Sequence, residues 1–494
     1  MMARFGLAMI VLAYMLIGAA FALATPAWQA PDEPAHYNYV AQVATRGCCP
    51  LIAPGDWDAD YLDALKSARF APELLQNLAA IQYEDHQPPL YYLLAAPLYT
   101  LSGGSLLALR LFSVALGTVI VACTYATARL LLPEQVWLAL GAAAFVAFLP
   151  QNVAILASVN NDALAWALIA LTLYATLRFL RTPPGTARAE IGWPLLLGAL
   201  VGLIFLTKTT GYFLAGLVPL ALYLRHRAYL PPHPLAGIRG PDALVRDTVT
   251  QLPHTPPLVS LVNFFDGLRL SVPYWLRRQI RQPGKLLRAW ALFLLPALLC
   301  AALWWGRNLS VYGTPDFLGL RAHDTVVVGQ PRTDDYIARV GAAQYWRDLA
   351  QTTFVSFWGQ FGWMGLPLAG WPLWYVSALS LAGVSGAALR LIMARERWNR
   401  AGVVLLLAGL LALAAYFYYN SEFLQFQGRY LYAGLMPAAL ALALGLEWWA
   451  RLIARAAGQR AALYGGLVLL PLLALAPLCL YLLWRVIVPG LTPQ

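Results

Sequence analysis

Charged residues are scarce in this chain. Only 12% of its 494 residues are charged, whereas 60% are hydrophobic. Soluble globular domains carry roughly 25% charged residues, so the composition excludes that class. Bases outnumber acids, with 34 lysines and arginines against 23 aspartates and glutamates. Because most of the bases lie in short segments between apolar runs, membrane topology explains them better than nucleic-acid binding. The sequence therefore predicts a polytopic membrane protein with no nucleic-acid partner.

Cysteine is also scarce, and its five residues show no metal-ligand spacing. Cys123, Cys300 and Cys479 lie inside apolar runs, which is typical of packing residues. Cys48 and Cys49 are adjacent in a predicted outer loop. Since a disulfide between neighbours is strained, we expect these two to be free or paired elsewhere.

Apolar runs long enough to cross a bilayer recur along the whole chain. They predict an all-α polytopic integral membrane protein with about eleven transmembrane helices of ~20 residues each. The predicted spans are approximately 5–25, 105–131, 137–157, 162–180, 190–207, 211–225, 289–306, 372–393, 401–419, 430–450 and 461–485.

One orientation places every arginine cluster on the cytoplasmic side. It puts the N-terminus in the cytoplasm and the C-terminus outside a cell (inner or plasma) membrane. The clusters are Arg4, Arg129, Arg178 to Arg188, Arg225 with Arg227, Arg390 to Arg400, and Arg451 to Arg460. Pro88 to Leu101 is apolar but short, and counting it as a span would reverse this pattern. We therefore expect a re-entrant or interfacial helix there.

The predicted organisation is a single transmembrane domain over 1–494 with three long connections. These are a first outer loop, 26–104, with juxtamembrane or re-entrant helices, a cytoplasmic loop, 226–288, and a second large outer loop, 307–370. Within the cytoplasmic loop, 273–278 suits an amphipathic helix on the membrane surface. No internal repeat is visible, which weakens the case for an inverted-repeat transporter.

With this topology, the unusual polar residues fall on the outer side. Two adjacent carboxylates and a histidine follow the first span, and further polar groups follow later spans. The set comprises Asp32, Glu33, His36, Glu84, Asp85, His86, Asp162, Lys208, Arg307 and Arg429. Each has an ordinary structural reading as well: Asp162 can cap a helix, and Lys208 and Arg429 can snorkel to the surface. The histidines can bind a metal or simply hydrogen-bond within their loops.

Acids alone would indicate a cation path, but here acids and bases occur together. Arginine and lysine bind phosphate oxygens. A carboxylate beside a hydroxyl can act as a general base, and a leaving phosphate needs its charge stabilised. This combination is typical of sugar transfer from a lipid-linked phosphate donor that lies in the bilayer.

At these positions the chain resembles the GT-C superfamily of polytopic membrane glycosyltransferases. That superfamily includes the protein O-mannosyltransferases and the aminoarabinose transferase of lipid A. The chain is most similar to an uncharacterised bacterial family of membrane proteins within it. The matching segments are Pro31 to His36, His86 to Tyr92, Ser158 to Asp162, Leu206 to Lys208, Trp305 to Asn308 with Tyr312-Gly313, Ser356 to Met364, and Gln427 to Leu431.

The resemblance implies an inverting transfer from a polyprenyl-phosphate sugar to a lipid, glycan or protein acceptor on the outer face. It implies that Asp32 is the catalytic base, with Glu33 as its neighbour or substitute. Asp162 matches a second acidic site, and a third acid is either Glu84 or Asp85. Candidates for substrate binding in the matching segments are Tyr91, Asn161, Trp358, Gln427 and Tyr430.

Other roles rest on charge and position more than on the motifs. Lys208, Arg307 and Arg429 are the candidates for binding the donor phosphate. Glu84, Asp85, His86, Asp162 and His36 form an acidic, potentially metal-binding group. Oligosaccharyltransferases of the superfamily carry Asp-x-Asp motifs where this chain has Asp32-Glu33. A divalent cation (Mg, Mn or Zn) is therefore left open as a cofactor, since relatives with and without one exist.

Two other functions stay open at the level of sequence. A transporter or flippase for a lipid-linked glycan would need charged or broken-helix features near the bilayer midplane. Spans two to six have few such charges; Arg110 is an exception, near the outer end of span two. An enzyme resembling an O-antigen ligase or polymerase would leave the early Asp32-Glu33 motif without a role. These features favour the glycosyltransferase.

Overall fold

The structure is a computed structural model that describes residues 2–226, 282–393, 399–458 and 461–493. Within these ranges it is almost entirely helical, as predicted. A two-stranded antiparallel ribbon pairs β1, Gln360–Phe361, with β2, Leu366–Pro367. The predicted cytoplasmic loop lies largely outside the described residues, as does its proposed amphipathic helix at 273–278.

The helices before the first gap form the N-terminal half of the bundle and the first connecting loop. In chain order they are α1 Met2–Ala24, α2 Glu33–Arg46, α3 Ala59–Ser67, a 3₁₀ helix Pro72–Ala80, α4 Leu90–Leu101, α5 Leu106–Leu131, α6 Val136–Phe148, α7 Pro150–Leu156, α8 Asp162–Arg181, a π-helical turn Arg188–Gly192, α9 Trp193–Phe205, a 3₁₀ turn Thr209–Gly211 and α10 Leu214–His226.

The helices after the first gap complete the bundle and the second connecting loop. They are α11 Pro283–Tyr312, α12 Leu320–Val326, α13 Thr333–Val340, α14 Ala342–Trp358, α15 Trp371–Met393, α16 Arg400–Glu422, a 3₁₀ helix Gly428–Gly434, α17 Leu435–Ala456, α18 Ala461–Leu473, α19 Leu475–Leu482, a π-helical turn Leu483–Ile487 and α20 Val488–Leu491.

Nine helices in the described ranges are long and apolar enough to cross a membrane. The number is ten if α6 and α7, which meet at a bend of 56°, form one span. The predicted count of eleven is not confirmed. The remaining predicted span, 211–225, corresponds to α10, whose 13 residues fall short of the ~20 that a bilayer needs. The 12-residue α4 is also too short, in agreement with the prediction that this segment does not span.

Glycines bring the membrane helices into close contact. A Cβ atom on Gly445 of α17 would lie 1.8 Å from the carbonyl oxygen of Gly383 on α15. A Cβ atom on Gly198 of α9 would lie 2.0 Å from the carbonyl oxygen of Phe293 on α11. Small residues at such positions let backbones approach closely where apolar burial cannot drive association. The bundle is therefore held by close backbone packing as well as by side chains.

The two large connecting loops share an apolar cluster of their own. Its buried members are Ala35, Ile52, Leu62, Leu65, Phe70, Ile81, Tyr83 and Val327. We call this the outer-loop cluster. In the same region the sulfurs of Cys48 and Cys49 are bonded to each other, across a cis peptide that brings their Cα atoms to 3.0 Å. This corrects the expectation that the two neighbours are not paired with each other.

Candidate active site

Asp32 lies between α1 and α2, and each of its carboxylate oxygens accepts a hydrogen bond. Arg429 Nη2 donates to Oδ2 at 2.7 Å, and the Tyr83 hydroxyl donates to Oδ1 at 2.9 Å. Burial alone would raise the pKa of Asp32, but the charge of Arg429 and the two hydrogen bonds hold it below its ordinary value. Asp32 is therefore ionised at neutral pH, which is the state that a general base requires.

Arg429 is positioned by the glycine before it. The backbone N–H of Gly428 donates to Ser356 Oγ at 2.8 Å, and a Cβ atom on Gly428 would lie 2.3 Å from the backbone nitrogen of Phe357. Only glycine fits this approach to α14. The Arg429 side chain is buried, and its Nε and Nη1 have no hydrogen-bond partner among the described residues. Since unpaired buried donors are costly, this guanidinium is suited to a further anion.

A second ion pair joins Lys208 to Asp162. Lys208 follows α9, Asp162 is the first residue of α8, and Nζ lies 2.7 Å from Oδ1. Both side chains are largely buried. The N-terminus of a helix favours a carboxylate, so Asp162 is a favourable acid in the first turn of α8 and also faces a cation, although the capping position itself is held by Asn161.

His36 lies near both ion pairs and is buried. Its Nδ1 shares a hydrogen bond of 2.8 Å with the Tyr92 hydroxyl. Burial and the charge of Lys208 lower its pKa to about 3, against the opposing effects of Asp32 and Asp162. His36 is consequently neutral at physiological pH. Because Asp32, Asp162 and Lys208 all act on this one imidazole, the structure brings the two ion pairs into one region.

Glu84 and Asp85, which the sequence left as alternatives, have different surroundings. Burial and the nearby charge of Asp32 raise the pKa of Glu84 to about 7, while Lys208 acts in the opposite direction. Asp85 accepts a hydrogen bond of 2.7 Å from Gln42 Nε2, and burial raises its pKa to about 8. Of the two, Glu84 is the residue whose pKa depends on the charges of Asp32 and Lys208.

Glu33 points away from Asp32 into a buried ion pair with Arg110. The two form a bidentate contact, with Nε to Oε1 at 2.8 Å and Nη2 to Oε2 at 2.6 Å. Glu33 also accepts from the backbone N–H groups of Trp28 and Val159. Arg110 donates to the carbonyl oxygens of three residues that follow or end α1, namely Ala22, Thr25 and Pro26. This satisfied network ties α1, α2 and α5 together beside Asp32.

Arg307 lies outside the group formed by Asp32, Asp162, Lys208 and Arg429. Its Nη2 donates to the carbonyl oxygens of Cys49 and Pro50, at 3.0 and 2.5 Å, and its Nη1 donates to Asn308 Oδ1 at 3.0 Å. These bonds connect the end of α11 to the first large loop. The three groups that accept hydrogen bonds from Arg307 are therefore all neutral.

Two predicted substrate-binding residues are buried near the first loop. The Tyr91 hydroxyl shares a hydrogen bond of 2.8 Å with Ser113 Oγ. Asn161 Nδ2 lies 3.4 Å from Gln87 Oε1, and Asn161 Oδ1 is buried with no hydrogen-bond partner among the described residues. Of these two, Asn161 is the residue with spare hydrogen-bonding capacity.

The other three predicted substrate-binding residues belong to α14 and the segment before α17. Trp358 is buried in the main core. Gln427 Nε2 donates to Gln425 Oε1 at 2.9 Å. The ring of Tyr430 lies under the guanidinium of Arg429, with 5.3 Å between Cζ and the ring centroid. Tyr430 is thus the one that adjoins the Asp32 pair directly.

The predicted metal-binding group does not come together as a set of ligands. Within the described ranges, no three histidine, cysteine, aspartate or glutamate side chains converge. His86 packs instead against His323, with ring centroids 4.3 Å apart. Asp32 and Asp162 each pair with a basic side chain at 2.7 Å. Carboxylates that are each paired with a cation, with no third ligand beside them among the described residues, do not suit a divalent metal.

The parts that Tyr83 and Arg110 take in this region were not predicted from the sequence. Tyr83, which donates to Asp32, carries no signal except that it directly precedes Glu84. Arg110 was visible as a cation at the outer end of an apolar span, a position that usually indicates a specific partner. Its partner, Glu33, lies 77 positions earlier in the chain.

One family model and several solved structures match this chain. A family model described as dolichyl-phosphate-mannose-protein mannosyltransferase matches residues 86–235. The Archaeoglobus fulgidus oligosaccharyltransferase, in complex with zinc and sulfate, is similar in structure, with 15% identity, a TM-score of 0.47, and coverage of 95% of this chain and 52% of its own. The chain thus spans about half the length of that protein.

A second solved structure is similar over nearly the whole chain. It is ArnT from Cupriavidus metallidurans bound to undecaprenyl phosphate, with 14% identity, a TM-score of 0.48, and coverage of 99% of this chain and 73% of its own. The sequence matches no curated protein. The family match at residues 86–235 supports, over that part of the chain, the predicted resemblance to the GT-C superfamily of polytopic membrane glycosyltransferases.

Proposed function

We propose that this protein is an inverting glycosyltransferase that moves a sugar from a polyprenyl-phosphate donor to an acceptor hydroxyl at the outer membrane surface. The observation that carries the proposal is the pairing of Asp32 with Arg429, whose remaining N–H groups are buried and unpaired among the described residues. It sets a carboxylate base beside a cation with capacity for phosphate.

Two cations would hold the donor phosphate. Arg429 offers Nε and Nη1, and Lys208 adds a point charge from the neighbouring ion pair. The family model that matches residues 86–235 is described by a dolichyl-phosphate sugar, which supports a donor of this class. Arg307 is not assigned to the donor phosphate, because it already donates hydrogen bonds to the carbonyl oxygens of Cys49 and Pro50.

The reaction follows from these positions. Asp32 takes the proton of the acceptor hydroxyl as the hydroxyl oxygen bonds to the anomeric carbon of the sugar. The bond between that carbon and the phosphate oxygen breaks on the opposite side, and its electron pair stays on the polyprenyl phosphate. Arg429 and Lys208 stabilise the added negative charge. A single displacement of this kind inverts the anomeric centre.

Glu84 can contribute to the same site as a neutral hydrogen-bond donor. Burial and the nearby charge of Asp32 raise its pKa to about 7, so a large fraction is protonated at neutral pH. A protonated carboxyl donates a hydrogen bond and does not repel a phosphate. Glu84 can therefore lie beside the donor without opposing its charge.

The side chains of Asp32 and Arg429 differ in their exposure to solvent. The Asp32 side chain is 24% exposed, whereas that of Arg429 is 4% exposed. We infer that the acceptor reaches Asp32 from the water side and that the donor phosphate enters beside Arg429 from the membrane side. The proposed acceptor is a lipid, a glycan or a protein. The arginine pattern supports an orientation in which this face lies outside a cell membrane, with the N-terminus cytoplasmic and the C-terminus outside.

The test is sugar transfer in liposomes from a panel of labelled polyprenyl-phosphate sugars, with Asp32→Asn compared with wild type. Asparagine keeps the shape of the side chain but cannot take the proton, so we expect transfer to fall by about 10²- to 10⁴-fold. Asp60→Asn is the matched control, since Asp60 is an exposed acid in the same loop. Binding of polyprenyl phosphate should persist in both variants.

Equal activity of Asp32→Asn and wild type would overturn the role of Asp32. If wild type transferred no sugar from any donor but moved the labelled lipid across the bilayer, a transporter would replace the enzyme. The two ion pairs would then belong to a substrate gate.

A further inference from the structure

Tyr83 is the second hydrogen-bond donor to Asp32, besides Arg429. Its hydroxyl and the Arg429 guanidinium each occupy one carboxylate oxygen, and each oxygen keeps one further lone pair. We propose that Tyr83 is a positioning residue that fixes the Asp32 carboxylate with a free lone pair towards the acceptor hydroxyl. This inference rests on the proposed function and adds a residue to its machinery.

The Tyr83 ring is itself held on several sides. It is a buried member of the outer-loop cluster, and its edge contacts the Trp57 ring with centroids 5.2 Å apart. Trp57 Nε1 in turn donates to the carbonyl oxygen of Val328 at 3.0 Å. The direction of the Tyr83 hydroxyl is therefore set by apolar packing between the two large loops.

Asp32 lies directly before the first turn of α2 with a φ of 68°, and its side chain is 24% exposed. Water therefore competes with the protein donors for its carboxylate oxygens. With donors on both oxygens, one orientation is selected before the acceptor arrives, which lowers the entropy cost of reaching the reactive geometry.

Tyr83 acts as a donor and not as the base. Burial, followed by the negative charges of Asp32 and Glu84, raises its pKa well above the ordinary value. The phenol stays protonated throughout the working pH range. Its hydrogen bond favours the ionised form of Asp32, so Tyr83 helps to lower the pKa of this carboxylate, after the larger effect of Arg429.

The variant that isolates this role is Tyr83→Phe, which removes the hydroxyl and keeps the ring in the outer-loop cluster. Tyr61→Phe is its matched control. Tyr61 packs against the same cluster, but its hydroxyl donates to the carbonyl oxygen of Leu74 at 2.7 Å and does not contact Asp32. A purely structural effect of losing a loop hydroxyl would appear in both variants.

The readout is the pH profile of kcat/KM for sugar transfer. The charged and titratable groups that lie near Asp32 are Arg429, Tyr83, His36, Glu84, Tyr419 and Tyr430. Without the Tyr83 hydroxyl the pKa of Asp32 rises, because the ionised form loses a donor. Transfer needs the ionised form, so the acid limb should move to higher pH by roughly 0.5 to 1 unit. We also expect kcat to fall several-fold, and KM for the donor to stay within about twofold.

Glu84, whose pKa is raised to about 7, also titrates on the acid side of neutrality, so the profiles are repeated in a Glu84→Gln background. His36, whose pKa is lowered to about 3, is the remaining group that titrates at acid pH near Asp32, and an infrared titration assigns the lower limb to Asp32. The proposal is supported if Tyr83→Phe moves this limb and Tyr61→Phe does not. It is overturned if the limb stays in place in Tyr83→Phe, whether the overall rate is full or uniformly reduced.

Infrared titration of the carboxyl stretch keeps the inference testable apart from catalysis. Asp32→Asn identifies the band of Asp32, and the band should titrate at higher pH in Tyr83→Phe than in wild type. An unchanged titration would overturn the positioning role. Absence of any transfer by wild type would overturn the proposed function separately, since this measurement does not depend on turnover.

Discussion

At the scale of single residues, charge alone did not decide which side chains share the site. Lys208 and Arg429 each lie 2.7 Å from a carboxylate, whereas Arg307, selected by the same reasoning, donates to the carbonyl oxygens of Cys49 and Pro50. The distinction comes from the partners that each cation finds after folding. A buried guanidinium with unpaired N–H groups is the form suited to a phosphate.

Arg429→Gln should therefore weaken donor binding much more than Arg307→Gln. Removing a charge-assisted contact costs about 1.5–3 kcal/mol, so affinity for polyprenyl phosphate should fall roughly 10- to 100-fold in Arg429→Gln. Isothermal titration calorimetry in detergent measures this without turnover, and thermal unfolding of both variants controls for damage to the fold. An equal loss of affinity in the two variants would indicate that Arg307 also binds the donor phosphate.

At the scale of elements, the site depends on how closely the segment before α17 approaches α14. Gly428 is buried, donates its N–H to Ser356 Oγ, and leaves no room for a Cβ atom. The same residue is the neighbour of Arg429. Close packing of two backbone segments thus sets the position of the cation that faces Asp32.

Gly428→Ala should displace Arg429 from Asp32. A Cβ atom 2.3 Å from the backbone nitrogen of Phe357 must move α14 or the 3₁₀ segment, at a cost of about 1–3 kcal/mol. We expect at least a tenfold loss of transfer, with a lower thermal midpoint.

Gly409→Ala is the control for this change, because its Cβ atom would meet Pro437 at an ordinary 3.7 Å. Transfer and unfolding should be close to wild type in that variant. Full activity of Gly428→Ala would show that the contact with α14 does not position the cation.

At the scale of the whole molecule, the two large loops pack on each other and reach Asp32 through Tyr83. The Glu33–Arg110 pair joins the same region to α1 and α5. The site therefore lies where the membrane helices meet the loops. Its function as proposed requires that these loops face away from the cytoplasm.

Topology is testable with single cysteines introduced into a variant in which all five native cysteines are replaced by serine or alanine. Asp60→Cys in the first large loop should react with a membrane-impermeant maleimide on intact cells. Gly185→Cys, between α8 and α9, should react only after permeabilisation, because the neighbouring arginines favour the cytoplasmic side. Both positions are exposed. Reaction of Gly185→Cys on intact cells would reverse the predicted orientation.

The sequence alone determined the class of protein and most of the bundle. Apolar length and sparse charge identify membrane helices because a bilayer imposes both conditions locally. The predicted spans correspond to described helices, although α10 is too short to support the count of eleven. Candidate polar residues were also visible locally, since charge beside an apolar run is unusual.

Only the tertiary structure decided which of those polar residues act together. Asp32 and Arg429 are 397 positions apart, and Arg110 and Glu33 are 77 apart. Glu33 is next to Asp32 in sequence, yet it is buried in a different ion pair, and Tyr83 became relevant only through its hydroxyl. Such pairings depend on helix packing and burial across the whole chain, which local patterns of residues do not encode.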